Sequence, residues 1–228
     1  MRPRADLPAR WRDVGRELSR VAEWWSEEHP ATTRQFSALD ESMRLMTGTS
    51  QTIDDGAYDH LRVGMAVPDV QLPATTGETL NVVASSAFTV IFLYPMTGTP
   101  GQPMPNGWLE LPGAFGCTAE SCAYRDLIED FACFDATVYG VSTQTMSEQA
   151  EFAEREHISY QLLSDAEHSL VNALRFPLLQ VGGQPSRIRR ATLIVDRKRV
   201  LREVMYPIPD PAANAEQALA AVEQLITG

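Results

Sequence analysis

The sequence predicts a mixed α/β sandwich, a central sheet with helices on both faces, preceded by a helical extension. Three observations carry this reading. The run 88–94, Phe-Thr-Val-Ile-Phe-Leu-Tyr, is apolar on both faces and stopped by Pro95, as a strand covered from both sides would be. A second such run, 136–142, is separated from it by a stretch in which Cys122, Leu127, Ile128 and Phe131 recur at helical spacing. Near the end of the chain, strands at 191–196 and 200–205 are joined by the charged turn Asp196, Arg197, Lys198, Arg199. A helix with Ala218, Leu219, Val222, Leu225 and Ile226 on one face closes the chain.

Taken in order, residues 1–60 read as the helical extension and 61–228 as the sandwich domain. Leu7, Trp11, Val14, Leu18, Val21 and Trp25 form an apolar stripe on a helix ending near Pro30. Thr32 or Thr33 can cap a second helix carrying Phe36, Leu39, Met43 and Met46 and closed by Gly48. The stripe either packs on the chain's own core or joins two copies as a homodimer. A linker at 48–52 and a short helical piece at 54–61 follow. Residues 67–73 alternate apolar and polar up to a Thr75-Thr76-Gly77-Glu78 turn, the pattern of a hairpin edge. The strand at 88–94 leads to one helix over 118–132 and then to the strand 136–142. A helix capped by Ser142 or Thr143 runs to about His157. Tyr160 to Leu163, a turn at Ser164-Asp165 and a helix through Leu174 precede the final hairpin.

Composition narrows the function classes. Among 228 residues, 44% are hydrophobic, enough for a proper core. The net charge of −11 argues against nucleic acid and anionic membrane as partners, because both recruit basic surface. No apolar run approaches 18 residues, and no signal-peptide core follows Met1-Arg2-Pro3-Arg4. Three cysteines, an odd number, make a disulfide scaffold unexpected and a reducing, cytoplasmic location the natural one. Walker, Rossmann and G-x-S-x-G motifs are missing, so nucleotide, hydride and hydrolase chemistry lack support.

The chemistry concentrates at Gly116-Cys117-Thr118-Ala119-Glu120-Ser121-Cys122. Cys117 opens a helix, where unpaired backbone N–H groups favour a thiolate, and Glu120 sits in the first turn where the dipole favours an acid. Cys122 supplies a second sulfur five residues on. Cysteines also serve as small buried hydrophobes, but two in six residues at a strand-to-helix junction point to a redox pair. The C-x4-C spacing lacks the second pair of a zinc knuckle, and His29, His60, His157 and His168 are scattered, which argues against zinc. Cys133, between Ala132 and Phe134, reads as a buried structural thiol, and His157 and His168 as surface residues of helices.

The segment 116–126 resembles the active-site helix of Q-type (bacterioferritin-comigratory-protein-like) peroxiredoxins. Leu162-Leu163-Ser164-Asp165 and 190–196 resemble that family's later segments in the same order, so the likeness covers about residues 63–227. The resemblance implies a thioredoxin-like fold and thiol-dependent reduction of hydrogen peroxide or organic hydroperoxides. By the same resemblance Cys117 is the peroxide-attacking cysteine, Cys122 resolves it as an intramolecular disulfide, and Arg190 is the guanidinium beside the thiolate. A thioredoxin-like dithiol would be the reductant, with no metal or organic cofactor. One departure stands out. The family signature begins at Pro95-Met96-Thr97-Gly98-Thr99-Pro100-Gly101, but Gln102 occupies the cysteine's place. An insertion then runs to Gly116, and Ala114 stands three residues before Cys117. The signature's hydroxyl must therefore come from Thr97 or Thr99 folding back, or be missing. That departure leaves a second expectation open, a redoxin-fold thiol/disulfide sensor or binding module without peroxide turnover.

Overall fold

The structure, a computed structural model, describes residues 54–99, 101–102, 104–180 and 185–227. The stripe from Leu7 to Trp25 and the helix expected up to Gly48 lie outside the described residues. Strands β1 (Gln71–Pro73) and β2 (Thr79–Asn81) form the expected antiparallel hairpin. The central sheet is built from β3 (Phe88–Leu93), β4 (Ala136–Ser142), β5 (Gln161–Ser164), β8 (Ala191–Asp196) and β9 (Leu201–Met205), in the order β5-β4-β3-β8-β9. β3 pairs parallel with β4 and antiparallel with β8. A two-stranded ribbon of β6 (Leu178–Leu179) and β7 (Arg187–Ile188) lies between β5 and β8 in sequence.

The continuous apolar run of β3 is explained by its neighbours, because each face meets a different core. Ile91 and Leu93, with Tyr139, Val141, Leu193 and Val195, pack against helix α4 (Ser169–Leu174) and the β1–β2 hairpin. Val90, Phe92 and Tyr94, with Val138, Leu162 and Ile194, pack against four further helices among the described residues. Those are α1 (Cys117–Asp126), α2 (Ile128–Cys133), α3 (Met146–Arg155) and α5 (Asn214–Thr227). Period-2 alternation sends successive residues into the two cores. Gly140 is required on the second of these faces: a Cβ there would sit 2.6 Å from the Phe92 ring and 2.7 Å from Leu162. The result is the thioredoxin-like sandwich that the resemblance implies.

Several local expectations need correction. Residues 54–61 form successive turns rather than a helix, with Gly56 at φ 69° and the Asp54 and Asp55 carboxylates accepting from nearby amides. The helix expected over 118–132 is two helices broken at Leu127, and neither proline nor glycine marks the break. Thr145, not Ser142 or Thr143, caps α3, and it does so through a capping box with Glu148. His157 and His168 adopt positive φ at a helix end and a helix start instead of lying within helices. Cys133 is exposed, because it lies about 200° around α2 from the buried Phe131.

Candidate active site

The site lies where β3 ends and α1 begins, and Gly116 sets the junction. Its φ of 98° is a conformation that side chains resist, and a Cβ would come within 2.8 Å of Pro211 in the short 3-10 turn Pro211–Ala213. That close approach seats the start of α1 against the turn that precedes α5. Cys117 is the first residue of α1 and only 4% exposed. Its Sγ lies 3.6 Å from the Ala114 carbonyl, to which the thiol donates.

Arg190 enters from the residue immediately before β8 and is 3% exposed. Nη2 donates to Cys117 Sγ at 3.1 Å and to the Phe115 carbonyl at 2.9 Å. Nε donates to the Gly113 carbonyl at 3.2 Å, and Nη1 forms a buried ion pair with Glu120. The guanidinium is thereby held in one plane by three groups while it points a donor at the sulfur. A buried pair of this kind tolerates loss of neither partner.

From the sequence, Glu120 reads only as a dipole-favoured acid. The available signal was its position three residues after Cys117, which places both on one helix face. The insertion is also more than a spacer. Its turn Trp108–Glu110 buries Trp108, 1% exposed, against Met96, Leu111, Ala114 and Leu179, which fixes the arm that offers its carbonyls to Arg190.

The remaining anchors hold α1 from its flanks. Tyr124 stacks on Phe92 at 4.3 Å, and its hydroxyl donates to Asn214 Oδ1 at 2.7 Å; burial pushes the phenol well up. Thr192 donates to the same oxygen at 2.7 Å. Tyr160 donates to the Ser121 carbonyl at 2.9 Å.

Of the residues singled out from sequence, the structure brings Cys117 and Arg190 into contact. Cys122 is half-buried on the same wound helix; burial pushes its thiol up, opposed by the neighbouring Arg125. Pro95 is buried at the end of β3, and its carbonyl accepts from Ser142 Oγ at 3.1 Å. Thr97 is clamped by Gln144: its N–H and hydroxyl donate to Oε1 at 2.8 and 3.2 Å, and Gln144 Nε2 returns a bond to its carbonyl at 3.2 Å. Thr99 is exposed. Among the described residues neither hydroxyl bonds the Cys117 sulfur. Gln144 gave no sign in the sequence, since a lone glutamine between a strand and a helix has no pattern.

Comparison with known proteins identifies the family. Residues 111–204 match the AhpC/TSA family. Peroxiredoxin Bcp of Bacillus subtilis is 30% identical over 164 residues, covering 70% of this chain and 95% of that protein. The crystal structure of peroxidoxin BcpB from Mycobacterium tuberculosis aligns with a TM-score of 0.61 at 31% identity, over 73% of this chain and 99% of that one. Peroxiredoxin Q of Xanthomonas campestris, 22% identical with a TM-score of 0.57 over 72% and 96% of the two chains, shares the fold. A buried cysteine at a helix start, held under an arginine and set in such relatives, has one family to belong to: this chain is a peroxiredoxin of the Bcp/Q type.

Proposed function

We propose that this chain is a thiol-dependent peroxidase in which Cys117 is the nucleophile and Cys122 the resolving thiol. The observation that carries the reading is the 3.1 Å bond from Arg190 to the Cys117 sulfur at the first residue of α1. The Cys117 thiolate attacks the terminal oxygen of a hydroperoxide and breaks the O–O bond. The sulfur becomes a sulfenic acid, and the other oxygen takes a proton and leaves as water or an alcohol. Arg190 and the unpaired amides of the first turn of α1 stabilise charge on that leaving oxygen. Cys122 then displaces the sulfenic hydroxyl as water, giving a Cys117–Cys122 disulfide, which a thioredoxin-like dithiol reduces by exchange.

Thr99 is the hydroxyl left to turn toward the sulfur, because it is exposed while Thr97 is occupied by Gln144. Pro95 lies two residues beyond β3 and starts that loop. A cytoplasmic location suits the reducing chemistry, and among the described residues no helix is long and apolar enough to cross a membrane. The acidic balance leaves nucleic acid and anionic membrane as poor partners, and the N-terminal stripe is proposed to join a homodimer.

Peroxide consumption with a dithiol reductant tests the assignment. Cys117→Ser abolishes it, whereas Cys122→Ser retains one rapid oxidation and accumulates sulfenic acid. Thr99→Val slows the first step and Thr97→Val does not. Turnover surviving in Cys117→Ser overturns the reading. Oxidation of the parent protein at ordinary thiol rates without turnover would instead identify a redox sensor.

A further inference from the structure

The segment between the two cysteines carries an unusual concentration of unsatisfied polarity. Among the described residues, three buried side-chain polar atoms find no hydrogen-bond partner: Oε1 of Glu120, Oγ of Ser121 and Nη2 of Arg199. The first two are adjacent on α1, inside the stretch 117–122. Glu120 is committed to Arg190 through its other oxygen. Ser121 has no comparable engagement, since its side chain is fully buried and its hydroxyl meets nothing. A buried hydroxyl without a partner destabilises the state that buries it, and water satisfies it as soon as that state opens. The two turns holding Cys117 and Cys122 are therefore penalised while wound and relieved when unwound. Beyond them, the Tyr124 hydroxyl is engaged with Asn214.

We infer that Ser121 is a positioning residue of the resolution step, whose unpartnered hydroxyl loosens the wound form of α1 and so lets Cys122 reach oxidised Cys117. The inference rests on the proposed Cys117–Cys122 pairing. The step it governs converts Cys117–SOH and Cys122–SH into the disulfide and one water, with no other reactant. Ser121 acts on the population of the open helix and leaves the attack on peroxide untouched. The Tyr160 hydroxyl, bonded to the Ser121 carbonyl, opposes it by holding the same turn closed.

A single-turnover experiment with one equivalent of hydrogen peroxide, followed by rapid quench and mass spectrometry, separates sulfenic acid formation from disulfide formation. Ser121→Ala leaves the first phase unchanged and slows the second about tenfold, the equivalent of about 1.4 kcal/mol, because it removes the buried hydroxyl and favours helix. Excess peroxide then drives more of the variant to sulfinic acid. Ala119→Gly, an exposed change in the same turns, weakens the helix and speeds the second phase about fivefold. Tyr160→Phe speeds it as well. A Ser121→Ala protein that forms the disulfide at the parental rate or faster, with no rise in sulfinic acid, overturns the inference while leaving the pairing intact. A parent protein that forms no Cys117–Cys122 disulfide overturns the pairing, and the inference with it.

Discussion

Arg190 is the residue through which charge, loop and sulfur are joined. Its guanidinium answers the Glu120 carboxylate, two carbonyls of the inserted arm and the Cys117 sulfur at once. Replacing it should therefore affect rate and stability for different reasons. Arg190→Met removes a charged donor from the sulfur, and a hydrogen bond to a charged group contributes about 1.5–3 kcal/mol, so peroxide attack should slow by about 10- to 150-fold. It also strands the Glu120 carboxylate in the core, which costs roughly 3–5 kcal/mol of folding stability. Adding Glu120→Gln should return a good part of that stability and none of the rate. Denaturant melts and stopped-flow oxidation of the two single variants and the double variant check this cycle. Recovery of the rate in the double variant would mean that Arg190 serves only to neutralise Glu120.

At the scale of elements, the turns at 54–61 are tied to the site from outside. Asp55 accepts from the Tyr206 hydroxyl at 2.7 Å and pairs with Arg189, the neighbour of Arg190, at 2.8 Å. The Tyr206 bond, followed by Arg189, lowers the Asp55 carboxyl to about 2. A carboxyl depressed in the folded state adds stability above its unfolded pKa of about 4, and loses that contribution as pH falls toward about 2. Amide exchange of residues 54–61 should therefore quicken between about pH 4 and pH 2 while that of β3 does not. Asp55→Asn should show the fast exchange already at neutral pH. The tie is partly exposed, so the effect is local and screened by salt. Equal exchange in parent and variant across that range would leave the knot without a holding role.

Over the whole molecule, the features legible in the sequence are those set by short-range pattern. The strand at 88–94 announced itself because each face meets a core, so no polar residue interrupts its centre apart from Thr89. Cys117 was legible because a helix opens directly after glycine. What the sequence withheld depends on partners distant along the chain. Glu120 and Arg190 are 70 residues apart, and Thr97 and Gln144 are 47 apart. Neither spacing leaves a periodic trace. No breaker residue marks the break at Leu127, and the exposure of Cys133 depends on which face of α2 seats Phe131. The insertion looked like a loop rich in proline and glycine, and the burial of Trp108 depends on Met96 and Leu179, which flank it at a distance.

A redox couple of Cys117 and Cys122, on which the proposed chemistry turns, makes a heavy demand on the fold. On a wound helix, residues five apart have Cα atoms roughly 8–9 Å apart, and a disulfide needs them within about 7 Å with converging Cβ vectors. Both cysteines are free on an intact α1 in the reduced protein. Oxidation must therefore melt the first turns of α1 while the sheet beneath stays folded. Amide exchange of the protein before and after one equivalent of hydrogen peroxide tests this most directly. Exchange across residues 117–125 should rise sharply on oxidation, and β3 should remain protected. An oxidised protein in which those amides stay as protected as in the reduced one would contradict the pairing, and would pass the resolving role to Cys133 or to a second subunit.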